Sequence, residues 1–215
     1  MKLRPTMSYL EANLLPLIAS IKPKTTDSFL LEACGLDGRP STQSVSITVG
    51  VRLEKFWNKV LSDSPNCTNH IENDDRVTVN GRSRQIDHYF NDMYLESKCN
   101  VNFDTEKIRA SNDKIQQITE TLSERDGRTI TSGYFVPVLQ TVPESIRKEY
   151  ADLGTAVYGV EDLIGCMGEG GCPFTANEYF AFFKTTIAPI ITKLLDGETP
   201  NKVSQRKLHS RLDLL

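Results

Sequence analysis

The sequence predicts an α/β fold in which a mixed β-sheet is flanked by helices and preceded by an N-terminal helical segment. Three observations support this class. Apolar residues recur at helical spacing in the first third, a period of two and hairpin dipeptides mark the middle third, and helix and strand signals alternate in the last third. This alternation is typical of a sheet whose faces are covered by helices.

The first third of the chain is expected to be helical. Apolar residues at positions 9–21 recur three and four apart, and Pro16 predicts a kink or a break among them. A second short helix is expected from Asp27 to Gly35, followed by a loop over 35–41. The apolar positions from 51 to 61 predict a third helix.

The middle third is expected to form strands. Arg76–Val79 has strand character, and the Asn80-Gly81 dipeptide that follows is the strongest short hairpin signal. Residues 84–90 and 93–99 predict two further strands, joined by a tight turn at Asn91-Asp92.

Helix and strand signals alternate through the rest of the chain. Asp104 can cap a long helix that ends at Asp126-Gly127, with its apolar stripe at positions 108, 111, 115, 118 and 122. A strand is expected over 133–141, where Pro137 favours an edge or a bulge. The remaining predicted elements are a short helix from Pro143, a strand over 156–160, a glycine-rich loop over 165–171 and a final helix over 176–195 with a kink at Pro189.

The composition is that of an ordinary globular protein. The chain has 215 residues, a formal net charge of −3 and a hydrophobic fraction of 39%. These values exclude disordered and collagen-like chains, and they argue against a protein that coats nucleic acid by bulk charge. One domain is expected, with a helical segment over 1–45, a core over 50–160 and a C-terminal helix with a basic tail over 175–215.

Cysteine usage and hydropathy indicate a cytoplasmic protein with no membrane span. The five cysteines are irregularly spaced, which argues against a disulfide framework. No run reaches the roughly 18–20 apolar residues that cross a bilayer, and the N-terminus lacks the apolar segment of a secretion signal. Cys166 and Cys172 do not predict a zinc site, because no histidine lies near them in the sequence.

A two-residue turn at Asn91-Asp92 would pair the flanking strands so that Asp87 faces Glu96. The period of two places Gln85 and Asp87 on one face of the first strand, and Glu96 and Lys98 on the matching face of the second. Gln85 would then lie opposite Lys98. The other face would carry Ile86, His88, Phe90, Leu95, Ser97 and Cys99.

Two carboxylates paired across a sheet require nearby positive charge. Lys98 can supply part of it, and Mg²⁺ would supply more, because it accepts oxygens from two carboxylates and fills its remaining positions with water and phosphate. A metal ion beside an ammonium group suits phosphodiester hydrolysis, since the metal activates water and the ammonium group stabilises negative charge. The alternative is an ordinary hairpin with solvated acids.

Ile86-Asp87, followed after eight residues by Glu96-Ser97-Lys98, resembles the D…ExK signature of the PD-(D/E)XK nuclease superfamily, and especially of type II restriction endonucleases. Ile86 stands where the superfamily name has proline. The resemblance covers residues 50–160 and implies a restriction-endonuclease-like core. It also implies that Asp87 and Glu96 bind Mg²⁺ and that Lys98 is the catalytic lysine. Glu54 is similar to an acid that several branches carry on the preceding helix; a solvated acid paired with Asn58 or Lys55 is the alternative.

The same resemblance implies a homodimeric, Mg²⁺-dependent endonuclease that cuts double-stranded DNA at specific sequences and leaves 5′-phosphate and 3′-hydroxyl ends. Two alternatives stay open: a repair or recombination nuclease of the same superfamily, and a non-catalytic DNA-binding or interaction domain. Basic and amide side chains near the hairpin are candidates for DNA contact, although a solvated or edge-protecting role also suits them. These candidates are Gln85, Asn100, Asn102, Lys107, Lys114, Arg82 and Arg84.

Overall fold

The computed structural model describes residues 5–22, 42–71, 75–99 and 105–195. The chain divides into two compact units, one formed by Met1–Leu53 with Asn177–Leu215 and the other by Glu54–Ala176. The α/β class is confirmed, because helices accompany a sheet with both antiparallel and parallel strand pairs. The predicted helix from Asp27 to Gly35, the loop after it, the cap at Asp104 and the basic tail lie outside the described residues.

The first unit contains the N-terminal helices α1 (Pro5–Asn13) and α2 (Leu15–Ala19). The break between them confirms the prediction from Pro16, which has no N–H to donate to the preceding turn. Leu10, Leu14 and Ile18 are buried along one side of the pair. The spacing of three and four therefore describes one apolar face that continues across the break.

Helix α3 (Thr42–Asp63) begins nine residues before the start expected from the apolar positions 51–61. Val45 and Val49 are buried and extend the same spacing toward the N-terminus. The Thr48 hydroxyl donates to the Ser44 carbonyl at 2.8 Å, so this polar side chain is accommodated within the helix. The polar residues between the two valines masked this part of the helix in the sequence.

The final helical stretch consists of α7 (Ala176–Phe182), a π-helical turn (Phe183–Ile187) and α8 (Ala188–Leu195). A kink was expected at Pro189, and the irregularity lies in the turn just before it. Because proline cannot donate a hydrogen bond to the preceding turn, the backbone widens there into a π-helical conformation.

In the second unit, β1 (Arg76–Val79) and β2 (Arg82–Gln85) form an antiparallel ribbon. The turn between them is Asn80-Gly81, with φ of 50° and 74°. Positive φ at both central residues is the geometry that joins twisted strands most directly. The predicted hairpin is confirmed.

The main sheet has four strands in the order β3-β4-β5-β6. Strands β3 (His88–Phe90) and β4 (Met93–Ser97) are antiparallel, whereas β5 (Thr131–Phe135) and β6 (Ala156–Tyr158) extend the sheet in parallel. Parallel neighbours need a crossover, which α4 (Thr105–Asp126) and α5 (Glu144–Ala151) provide. Helix α6 (Val160–Met167) follows β6.

Two strand and loop predictions in this region need correction. Strand β5 ends at Phe135 instead of continuing to residue 141, because Pro137 cannot donate to a ladder. Residues 165–167, expected in a glycine-rich loop, complete helix α6, which ends at Met167 and is followed by the C-cap residue Gly168 with φ of 74°. Glycine adopts a positive φ readily, so the helix stops just before it.

The prediction of one strand over residues 84–90 is wrong. Ribbon strand β2 ends at Gln85, and β3 of the main sheet starts at His88. Between them, the backbone N–H of Ile86 donates to the Asp75 carbonyl at 3.0 Å. The break resets the alternation of faces, so Ile86 is buried in the same cluster as Tyr89 instead of on the opposite face.

Helices cover both faces of the main sheet. Apolar residues of α4 pack on one face in a cluster that includes Tyr89, Tyr94 and Tyr134. On the other face, Trp57 of α3 meets Phe135 edge to face, with ring centroids 5.2 Å apart. The predicted α4 stripe is confirmed by burial of Ile108, Ile115, Ile118 and Leu122.

Among the described residues, no helix has the length and apolarity that a membrane crossing requires.

Candidate active site

The β3–β4 hairpin has the register predicted from its turn. His88 pairs with Leu95, Tyr89 with Tyr94, and Phe90 with Met93. The same register, continued by one residue, places Asp87 across from Glu96. The Ser97 amide donates to Oδ2 of Asp87 at 2.9 Å, and the side chain of Asn58 donates to the Asp87 carbonyl at 2.8 Å. Asp87 is therefore held in place by β4 and by α3.

Glu96 is the centre of a cluster of two carboxylates and two ammonium groups, which we call the acid–lysine cluster: Asp87, Glu96, Lys98 and Lys114. The Nζ atoms of Lys98 and Lys114 lie 2.8 and 2.7 Å from Oε1 of Glu96. The Tyr94 hydroxyl donates to Oε2 at 2.9 Å. Both oxygens of this buried carboxylate thus have charged or polar partners, as a buried charge requires.

The two acids of the cluster have opposite pKa shifts. Burial first, and then the charge of Glu96, raises the pKa of Asp87 to about 6. Burial would also raise the pKa of Glu96, but the ammonium groups of Lys98 and Lys114 outweigh it and leave that pKa below its ordinary value. Near neutral pH both groups are ionised, and Asp87 is the acid whose charge the fold neutralises less well.

Lys114 belongs to the acid–lysine cluster, whereas the sequence predicted a different role for it. It was expected to contact DNA, as was Lys107. In the structure it extends from α4 to Glu96, while the side chain of Lys107 lies outside the described residues. Its position beside the buried stripe, one residue before Ile115, was the available signal. Local spacing did not reveal that α4 packs on the sheet close enough to β4 for Lys114 to reach Glu96.

Asn58 is a second residue whose role the sequence did not reveal. Besides binding the Asp87 carbonyl, its Oδ1 lies 2.6 Å from Nδ1 of His88. Burial lowers the pKa of His88 to about 3, so the ring is neutral and donates from Nδ1 to this amide oxygen. His88 points away from Asp87, as expected, and contacts Phe135. The sequence indicated this role only through the position of Asn58, a polar residue next to Trp57 on the buried side of α3.

Glu54 and Gln85 are bonded to each other: Nε2 of Gln85 donates to Oε1 of Glu54 at 3.0 Å. In the ribbon, Gln85 pairs with Arg76, so the prediction that it faces Lys98 is wrong. The break at Ile86 is the reason. Within the described ranges, no three His, Cys, Asp or Glu side chains form a group that could hold a metal ion. Glu54 therefore does not form such a group with Asp87 and Glu96.

Of the other candidates for DNA contact, the structure describes the side chains of Arg82 and Arg84. Arg82 and Arg84 pair with Val79 and Val77, and paired residues share a face, so these arginines lie on the opposite ribbon face from Arg76. Arg82 is exposed and Arg84 is half-buried. Asn100 and Asn102 lie outside the described residues.

The donor set of the acid–lysine cluster suits Mg²⁺. This ion commonly binds one or two carboxylates and keeps several waters, whereas zinc sites use three or four protein ligands. Among the described residues, none donates a hydrogen bond to Oδ1 of Asp87. Oε1 of Glu96, in contrast, accepts from two ammonium groups. A cation bound to that oxygen requires at least one of them to move.

Comparison with known proteins adds no further guide. No protein-family model, curated protein or solved structure matches the chain.

Proposed function

We propose that the protein is a Mg²⁺-dependent endonuclease that cuts double-stranded DNA at specific sequences, in the manner of a type II restriction enzyme. The observation that carries the proposal is the acid–lysine cluster. Asp87 and Glu96 are neighbours at the open end of a hairpin, and Lys98 lies 2.8 Å from Glu96. Two acids and an adjacent amine are the groups that metal-assisted phosphodiester hydrolysis needs.

The residues have distinct roles in this proposal. Asp87 and Glu96 would hold Mg²⁺, which would polarise the phosphate and lower the pKa of the attacking water. Lys98 would place its ammonium group where negative charge develops on the phosphate. Tyr94 keeps Glu96 oriented through its hydroxyl, whose pKa is raised by burial and by Glu96, so the proton it donates is retained.

Charge balance supports an anionic substrate. The two carboxylates and two ammonium groups of the cluster cancel, so a divalent cation would give the site an excess of about two positive charges. A local field of this kind attracts a phosphodiester even though the formal net charge of the chain is −3. Hydrolysis would leave 5′-phosphate and 3′-hydroxyl ends.

The proposal includes a homodimer. A chain with one acid–lysine cluster cuts one strand at a time, and a two-fold symmetric pair presents two clusters to the two strands of a duplex. Two-fold symmetric DNA sites match such a dimer for the same geometric reason.

The test is cleavage of a fully sequenced plasmid in the presence of Mg²⁺. The parent protein and the control Asp113→Asn, which changes an exposed acid of α4, are expected to produce the same discrete fragments. Asp87→Asn, Glu96→Gln and Lys98→Met are expected to produce none. Fragments from these three variants at the parent's rate would overturn the assignment of the site. Cutting confined to mismatched or branched DNA would favour a repair nuclease, and no cutting by any protein would favour a binding domain.

A further inference from the structure

Two ammonium groups from different elements share one oxygen of Glu96. Lys98 follows strand β4, two residues after Glu96, whereas Lys114 reaches the same oxygen from helix α4. The Lys114 side chain is 33% exposed and the Glu96 side chain only 5%. The carboxylate is thus buried, while the Lys114 side chain is partly exposed, slightly more than that of Lys98 at 27%.

The partners of Glu96 leave little room for a third cation. Tyr94 engages Oε2, and both lysines engage Oε1. The two ammonium groups also repel each other, so only the negative charge of the acids keeps them together. A divalent cation at Glu96 would neutralise this negative charge and would compete with the two ammonium groups for Oε1.

The backbone that carries Lys114 is fixed by neighbouring contacts. Asn112 donates from Nδ2 to the Leu153 carbonyl at 3.3 Å, and its Oδ1 accepts from the Tyr134 hydroxyl at 2.8 Å. Departure of Lys114 from Glu96 therefore needs only rotation of its own flexible side chain, without movement of the helix.

We propose that Lys114 is a positioning residue that acts as an exchangeable counter-ion. It neutralises Glu96 in the metal-free protein, yields Oε1 to the divalent cation, and turns to a DNA phosphate. This inference rests on the proposed function, in which Lys98 is the catalytic amine and stays beside the acids; Lys114 is then the amine that leaves. Metal and DNA then bind cooperatively, because the phosphate accepts the ammonium group that the metal displaces.

The test is isothermal titration calorimetry, in which Mg²⁺ is added to the whole 215-residue chain without DNA. Lys114→Met removes the competitor and is expected to bind Mg²⁺ about tenfold more tightly than the parent, the size of a lost charged hydrogen bond. Lys114→Arg keeps the charge and is expected to bind weakly, like the parent. The control Arg109→Met removes an exposed positive charge of the same helix and should change affinity by less than about twofold.

Lys114→Gln is a second neutral variant, used to obtain the result if the methionine variant does not fold. Affinity gained by neither neutral variant, or gained equally by Arg109→Met, would overturn the inference. The titration contains no DNA, so it decides the role of Lys114 even if the parent cuts no plasmid and the proposed function fails. If the parent cuts and neither neutral variant gains affinity, the inference fails and the proposed function stands.

Discussion

The backbone amide of Ser97 donates a hydrogen bond of 2.9 Å to Oδ2 of Asp87, just beyond the last paired residues of the β3–β4 hairpin. This bond holds the Asp87 carboxylate on the same side as Glu96. It replaces the ladder contact that is lost where the chain leaves the sheet. The hairpin therefore brings two like charges together at the cost of some stability, a conflict that is common at functional sites.

Replacing Asp87 with asparagine is expected to stabilise the fold while cleavage is lost. Because burial and Glu96 raise the pKa of Asp87 to about 6, its ionised form opposes folding at pH 7. Asparagine removes the charge and keeps an oxygen for the Ser97 amide. We expect the free energy of unfolding in urea to rise by about 1–2 kcal/mol at pH 7. The exposed control Asp113→Asn should change it by less than about 0.5 kcal/mol; a loss of stability in Asp87→Asn would contradict this reading.

The pH dependence of stability is expected to carry the signature of Asp87. Its pKa is raised from 3.8 to about 6 on folding. The stability that protonated Asp87 contributes is therefore fully present below pH 3.8 and is lost as the pH rises through 6. Glu96 has a lowered pKa and acts oppositely: its contribution is present above 4.5 and is lost as the pH falls through the folded value. The difference in free energy of unfolding between Asp87→Asn and the parent, measured at each pH, isolates the contribution of Asp87. It should be small at pH 3.5 and should grow to a plateau above pH 7, whereas a constant difference would refute the assignment.

Replacing Asn58 with alanine is expected to damage both stability and cleavage. The variant leaves the buried Nδ1–H of His88 without its acceptor and frees the backbone of Asp87. A buried donor without a partner costs about 1–3 kcal/mol, which chemical denaturation will measure. Lys59→Ala is the matched control on the same helix, because it removes only an exposed ion pair with Asp63, worth less than about 1 kcal/mol. Equal losses in the two variants would show that Asn58 has no special role.

Replacing Lys98 with methionine is expected to slow cleavage strongly with little effect on folding. Lys114 still neutralises Glu96 in this variant, so the buried carboxylate keeps a charged partner. Loss of a group that stabilises transition-state charge lowers rates by about 100-fold or more. Single-turnover cleavage and thermal melting would be measured on the same preparation. A variant that melts far below the parent would show instead that Lys98 is mainly structural.

The hairpin and the long helix could be predicted because their signals are local. A period of two with Asn91-Asp92 at the turn sets the β3–β4 register, and spacing of three and four sets the buried face of α4. These patterns were sufficient to place Asp87 across from Glu96. They depend only on residues close together in the sequence, where geometry leaves few alternatives.

The remaining features depend on tertiary contacts. Nothing local marks Ile86 as the point where the chain passes from the ribbon to the main sheet, since its bond to Asp75 lies outside both strands. The contact of Lys114 with Glu96 spans eighteen positions and depends on how α4 packs on the sheet. Asn58 likewise meets its partners only after α3 packs on the sheet.

Anomalous diffraction from crystals soaked in saturating Mn²⁺ will show whether Asp87 and Glu96 together bind a divalent cation. Mn²⁺ takes the same oxygen ligands as Mg²⁺ and can be located by its anomalous signal. We expect one strong peak within bonding distance of both carboxylates, with the Lys114 ammonium group displaced from Oε1 of Glu96. Saturated crystals with no peak between Asp87 and Glu96, and with both lysines still on Glu96, would show that these two acids do not form a metal site.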